Sequence, residues 1–200
     1  MAAAEAIGDK FIEIVAAPSF EDKAVENLMK KKSRRLLEVS EFLAKPIQPL
    51  LLRSALGGVL AQSPDVDSEE KFETVTKKKP TEAEFNAALF GWKIAKHVRS
   101  NAIVFSREDR TIGIGAGQMS RVDSCRIAVE KAKNAGLDVK GTAMASDAMF
   151  PFRDSVDYAA QAGATTVIQP GGSIRDAESI TAADEHGISM IFTHARHFRH

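Results

Sequence analysis

Apolar and polar positions along the chain switch between two periods, and the switching predicts an α/β fold. Short apolar runs read as strands: Phe11 to Val15, Arg35 to Val39, Ala102 to Phe105, Thr166 to Ile168 and Ile188 to Phe192. Between them, apolar residues recur at helical spacing, as in Ala24, Val25, Leu28, Met29 and again in Phe85, Ala88, Leu89, Trp92. Ser19 with Asp22, and Thr81 with Glu84, read as capping boxes that open these helices. Thr111 to Ile114 pairs back on the strand before it as a hairpin, and Gly113-Ile114-Gly115-Ala116-Gly117-Gln118 leads into a helix from about Ser120 to Ala135, closed by Gly136. Further helices run from Asp154 toward Gly163 and up to Gly187. Strands alternating with helices imply a layered mixed sheet with flanking helices.

From Ser40 to Lys79 the pattern loosens. Pro46, Pro49 and Pro64 punctuate it, Gly57-Gly58-Val59-Leu60 reads as a short strand with a close backbone approach, and the acidic run from Asp65 to Glu70 precedes a basic Lys77 to Lys79. Two units are expected, residues 1–70 and 71–200.

Composition removes several functions. Lys plus Arg equals Asp plus Glu at 27 each, so no basic surface argues for a nucleic-acid partner or an anionic membrane. No apolar run approaches the ~20 residues of a membrane span, and the start MAAAEAIGDKF lacks a signal-peptide pattern. A cytoplasmic location is expected. The lone Cys125 excludes a disulfide framework and a thiolate-rich zinc site within the chain. His186, His194, His197 and His200 crowd the C-terminus without a zinc-binding pattern.

Three segments could carry chemistry. The Gly113 to Gln118 loop could cradle an anion with Arg121 one turn into the following helix, or be a tight turn that needs small residues. In Ser146-Asp147-Ala148-Met149-Phe150-Pro151-Phe152-Arg153-Asp154 the aromatics are either core, with Asp154 an N-cap, or a flat slot for a heterocycle read by a carboxylate. Pro170-Gly171-Gly172-Ser173 reads as a turn, with an anion site as the alternative.

Together with KHVRSNAIVFS, VIQPGGSIRD and the ending ADEHGISMIFTHARHFRH, these motifs resemble the C-terminal part of the bifunctional AICAR transformylase/IMP cyclohydrolase family, densely from about Phe72 and more loosely back to Phe11. The resemblance implies cytidine-deaminase-like subdomains without zinc, with residues 1–70 the end of one plus a connection and 71–200 the next. It implies formyl transfer from 10-formyltetrahydrofolate to AICAR in purine biosynthesis, in a homodimer. Asn101 resembles the asparagine at the formyl-transfer centre, and Arg121 the arginine on the AICAR base. Arg196 and Phe198 match the terminal pair that holds the nucleotide. Phe150, Pro151, Phe152 and Asp154 match the folate pocket, with Met149 where the family has phenylalanine. Ser100 and Asp147 resemble positions around a monovalent-cation (potassium) site in some members. The family's Lys-His-x-x-Pro-x-Gly motif is missing, since Lys96-His97 is followed by Val98-Arg99-Ser100-Asn101, and the cyclohydrolase domain is missing as well. A non-catalytic folate-binding, nucleotide-binding or dimerising half-module is the alternative; a zinc deaminase is excluded by its missing ligands.

Overall fold

The computed structural model describes residues 1–40, 50–65 and 71–199. Pro46, Pro49, the acidic stretch 66–70 and His200 lie outside the described residues. The chain divides into two compact units, Met1–Pro64 and Asp65–His200.

In the first unit α1 (Ala2–Ile7) and α2 (Asp22–Leu28) accompany a parallel pair, β1 (Ile14–Ala17) and β2 (Arg35–Glu38), with Ile14 opposite Arg35. Ala4, Ala24 and Leu28 form its core, with Val15 and Leu36 packed on them. The strand expected from Phe11 starts only at Ile14, because the preceding backbone is used in turns: Lys10 N–H donates to Ile7 O at 3.0 Å and Ile12 N–H to Lys10 O at 2.9 Å. The capping box expected at Ser19 does not form, since Glu21 takes the N-cap position and no side chain caps the helix. Within the basic run, Arg34 is buried and spends its fork on the carbonyls of Gly8, Lys10, Ile12 and Leu28. β3 (Leu51–Ala55) and β4 (Gly58–Gln62) make an antiparallel hairpin. Gly57 supplies the positive φ of 78° that its turn requires, and neither glycine there lies against other backbone.

The second unit is one six-stranded mixed sheet in the order β5-β10-β9-β8-β6-β7. Its strands are β5 (Glu73–Thr74), β6 (Ile103–Ser106), β7 (Thr111–Gly115), β8 (Ala143–Ser146), β9 (Thr166–Gln169) and β10 (Ser189–Phe192). β8, β9 and β10 run parallel, while β6 is antiparallel to both β7 and β8. Every residue of β6, β8, β9 and β10 is buried, as expected for strands covered on both faces. Side chains divide by parity. Ile103, Phe105, Met144, Val167 and Met190 enter one core with α4 (Arg121–Asn134), α5 (Asp154–Gln161) and α6 (Asp176–Glu185). Val104, Ala143, Ala145, Ile168 and Ile191 enter the other with α3 (Glu82–Ala95), whose Trp92 is wholly buried. The result is helix, sheet, helix in three layers. The Thr81–Glu84 capping box forms at the start of α3, with both reciprocal bonds present.

Candidate functional site

The glycine-rich loop is mostly strand. Gly113 and Gly115 belong to β7, and a Cβ on either would strike the α4 backbone, at Ala128 O and Ser124 O respectively. Those two glycines are therefore small so that a helix can lie on a strand, which replaces both sequence-level readings at these positions. Only Gly117, at φ 67°, serves the turn itself. In the Pro170 to Ser173 segment the Gly172 amide is already taken, donating to Asp176 Oδ2 at 2.7 Å. That segment is a turn closed by the carboxylate of Asp176, which opens α6.

What the sheet brings together is the carboxyl edge of its parallel strands, where open α/β sheets take ligands. Ser146, Gln169 and Phe192 end β8, β9 and β10 there, and Gly115 ends β7. Because β6 is reversed, Ile103 pairs with both Gly115 and Ser146, so the Ser100-Asn101 segment that precedes it arrives at the same edge.

At that edge Asp147 is fully buried. Its Oδ2 accepts from Ser100 Oγ at 2.5 Å, and its main-chain oxygen accepts from His197 N–H at 3.0 Å. Arg121, the first residue of α4, brings Nη2 to 3.7 Å from Asp147 Oδ1. Both Asp147 Oδ1 and Arg121 Nε are buried without a hydrogen-bond partner among the described residues. Burial pushes the Arg121 guanidinium below its ordinary pKa; the Asp147 carboxylate opposes that and the cation of Arg196 adds to it. Arg196 is exposed, with Nη2 3.7 Å from Met149 Sδ. Asn101 donates its side-chain amide to Gln118 O at 2.9 Å, while its carbonyl accepts from Ser124 Oγ at 2.7 Å. Ser120 caps α4 by accepting from Asp123 N–H at 3.2 Å.

The Phe150 to Asp154 segment divides. Phe150 is wholly buried in the sheet core, so its ring supports the edge from behind and lines nothing that solvent reaches. Pro151, Phe152 and Asp154 are exposed. The Arg175 guanidinium lies over the Phe152 ring at 4.8 Å. Asp154 is no side-chain cap; it opens α5 with Oδ1 accepting from Ser155 N–H at 2.7 Å. Phe198 is half-exposed near the end of the chain. His97 is exposed and gives its main-chain oxygen to Arg199 Nη1 at 3.1 Å.

Residues 1–131 match the family described as AICARFT/IMPCHase bienzyme. The chain belongs to this family. Two curated relatives, each named Bifunctional purine biosynthesis protein PurH, come from Chloroflexus aurantiacus and Polynucleobacter necessarius. Both are 52% identical to it and cover the whole chain. The chain spans 39% and 38% of their length. A crystal structure of a diaminohydroxyphosphoribosylaminopyrimidine deaminase/5-amino-6-(5-phosphoribosylamino)uracil reductase from Thermotoga maritima is similar over 54% of this chain and 34% of its own. Its identity is 20% and its TM-score 0.35, too slight a likeness to carry argument.

Among the described residues no helix of this AICARFT/IMPCHase chain is long and apolar enough to cross a membrane. Sequence reasoning missed three contributors to the site. β8, which delivers Asp147, went unread because Ala143-Met144-Ala145-Ser146 has none of the β-branched residues that signal a strand. Arg175 gave no signal of its contact with Phe152. His197, one of several C-terminal histidines, is 2% exposed and packs its ring 4.6 Å from that of Trp92; its place between Arg196 and Phe198 was the available clue.

Proposed function

We propose that the chain is the C-terminal portion of the transformylase part of an AICARFT/IMPCHase bienzyme, and that its second unit is a cytidine-deaminase-like subdomain. In this reading it takes part in purine biosynthesis, in transfer of a formyl group from 10-formyltetrahydrofolate to AICAR, within a homodimer. The observation that carries it is the meeting of Asn101, Arg121 and Arg196 at one sheet edge, beside the exposed Pro151, Phe152 and Asp154. Two guanidinium groups close enough to oppose each other's charge suit an anionic nucleotide. The buried Nε of Arg121 is a donor without an acceptor among the described residues.

Each residue then has a task. Arg121 and Arg196 hold the nucleotide with Phe198, and Phe152, Pro151 and Asp154 face the folate. Asn101 has two amide hydrogens. One is spent on Gln118 O, leaving the other for a formyl oxygen as negative charge gathers on it. The buried, unbonded Oδ1 of Asp147 and the Ser100 hydroxyl beside it are oxygens that fit a monovalent cation. Potassium held there would neutralise the buried carboxylate.

Arg121, Arg196 and Asn101 supply no general base for the amine of AICAR, and in this reading Asp154 is committed to the folate and Asp147 to the cation. Guanidinium groups stay protonated and an amide does not titrate, whereas acid–base groups usually contribute ~10²–10⁴-fold. The chain alone is expected to show no transformylase turnover, read as tetrahydrofolate release. Adding the segment of a PurH relative that carries Lys-His-x-x-Pro-x-Gly is expected to restore it. Robust turnover by the chain alone would defeat the assignment of roles, and silence from a folded mixture would favour a non-catalytic binding module.

A further inference from the structure

We propose that His197 is the anchor that presents Arg196 and Phe198, a positioning residue for nucleotide binding. The proposal rests on the reading above, in which those two neighbours hold the nucleotide. Exposure alternates across three residues of the tail that follows β10: Arg196 and Phe198 are exposed, and His197 between them is buried. Where successive side chains take opposite faces, fixing the middle one inward fixes its two neighbours outward.

Two of the contacts that hold the imidazole are with described residues. Its ring stacks at a 44° tilt on Trp92, the largest wholly buried side chain of α3. Its Nδ1 lies 2.8 Å from Asp65 Oδ2. A phenylalanine would fill the space against Trp92 but could not meet the carboxylate, so the bond to Asp65 is a reason for histidine at this position. The surrounding backbone is stitched to the site: His197 N–H donates to Asp147 O, Ser100 N–H donates to Arg199 O at 2.8 Å, and Arg199 N–H donates to Ser100 Oγ at 3.0 Å. Asp147 and Ser100 therefore grip the tail with their backbone and hydroxyl while facing the site with the carboxylate. The anchor and the site share a floor.

Hydrogen exchange on the full chain reads the anchor, and calorimetric titration with AICAR reads its consequence. Asp65→Asn removes the carboxylate charge at a partly exposed position and opens no cavity. It is expected to speed exchange of the His197 and Arg199 amides about tenfold, the scale of one hydrogen bond to a charged group, while the amides of β9 and β10 keep their rates. AICAR affinity is expected to fall about threefold to tenfold in parallel. His197→Phe, which preserves the ring packing, is expected to lose at least as much as Asp65→Asn, and His197→Gln to recover part of the loss. Unchanged exchange in both Asp65→Asn and His197→Phe would overturn the proposal. Faster exchange with unchanged AICAR affinity would overturn it too, since His197 would then serve the fold alone. If the unsubstituted chain takes up no AICAR, the reading above falls and the nucleotide role of His197 falls with it, while the exchange data still report whether the ring holds the tail.

Discussion

Gly115→Ala tests whether the glycine motif exists for packing or for a ligand. A Cβ at this position would lie inside contact distance of Ser124 O, and of the C and Cα atoms of the same residue. These are main-chain atoms in the first turn of α4, so no rotamer change relieves the overlap and the helix must move off the strand. Overpacking usually costs ~1–3 kcal/mol, and a clash with backbone belongs at the upper end, about 3 kcal/mol. For a domain of this size each kcal/mol moves Tm by about 3–5 °C, so a loss on the order of 10 °C is expected in a thermal melt. Gly113→Ala, which meets Ala128 O and C and the Ala132 methyl, should follow closely. Gly117→Ala is milder: its Cβ would touch only the Arg99 side chain, at 3.8 Å. The cost there is that of a left-handed backbone for alanine, about 1 kcal/mol. The order Gly115, Gly113, Gly117 is the signature of helix-on-strand packing. A Gly115→Ala protein that melts with the unsubstituted chain would refute this reasoning.

Asp154→Ala removes a carboxylate that accepts only from the neighbouring Ser155 among the described residues. In a reconstituted transformylase it should raise KM for the formyl donor and spare AICAR; a lowered Tm with unchanged kinetics would make it merely a helix-end residue. Asp157 is held below the ordinary carboxylate pKa by its hydrogen bonds from Arg153, against a smaller cost of burial and with help from His186. Its contribution to stability is thus present above the unfolded value of ~3.9 and is lost as pH falls through the lower folded one; Asp157→Asn should flatten the acid limb of a stability–pH curve and leave the limb above neutral pH alone. Burial pushes the Cys125 thiol up to about 12, so a thiol reagent near neutral pH should label it only in denaturant, and rapid labelling of the folded chain would contradict its packing between α4 and the sheet.

Legibility followed burial. β6, β9 and β10 are covered on both faces, so each keeps an apolar core of Ile103-Val104-Phe105, Val167-Ile168 or Met190-Ile191-Phe192 that stands out in the sequence, with polar residues only at the strand ends. The first unit has smaller cores and half-exposed strands, with patterns of exposed and intermediate positions at β1 and β2, and its strand and cap were misplaced there. Small residues misled in both directions. Alanines hid β8, and glycines of β7 imitated a ligand loop although the constraint on them comes from α4 behind the strand. Arg121 and Asp147 were legible as motif members, but their pairing was not, because it depends on β7 and β8 flanking the same reversed strand.

That reversal also explains where the motifs stand along the chain. Asp147, the Gly171-Gly172 turn and Arg196 each come just after a parallel strand, and Arg121 comes one short loop after β7. Asn101 comes just before a strand. In a sheet whose strands all ran one way, a residue preceding a strand would lie at the amino edge, far from the others. It joins them because β6 runs antiparallel to its neighbours on both sides, with Ile103 opposite Gly115 and Ser146. The hairpin from β6 to β7 is therefore part of the site's construction. It turns the chain around at Arg107 to Arg110, where Arg107 N–H donates to Arg110 O at 2.9 Å, and so carries the Arg121 helix back to the edge that Asn101 has just left. Position before or after a strand encodes strand direction, and the one motif that breaks the pattern identifies the one reversed strand between parallel neighbours.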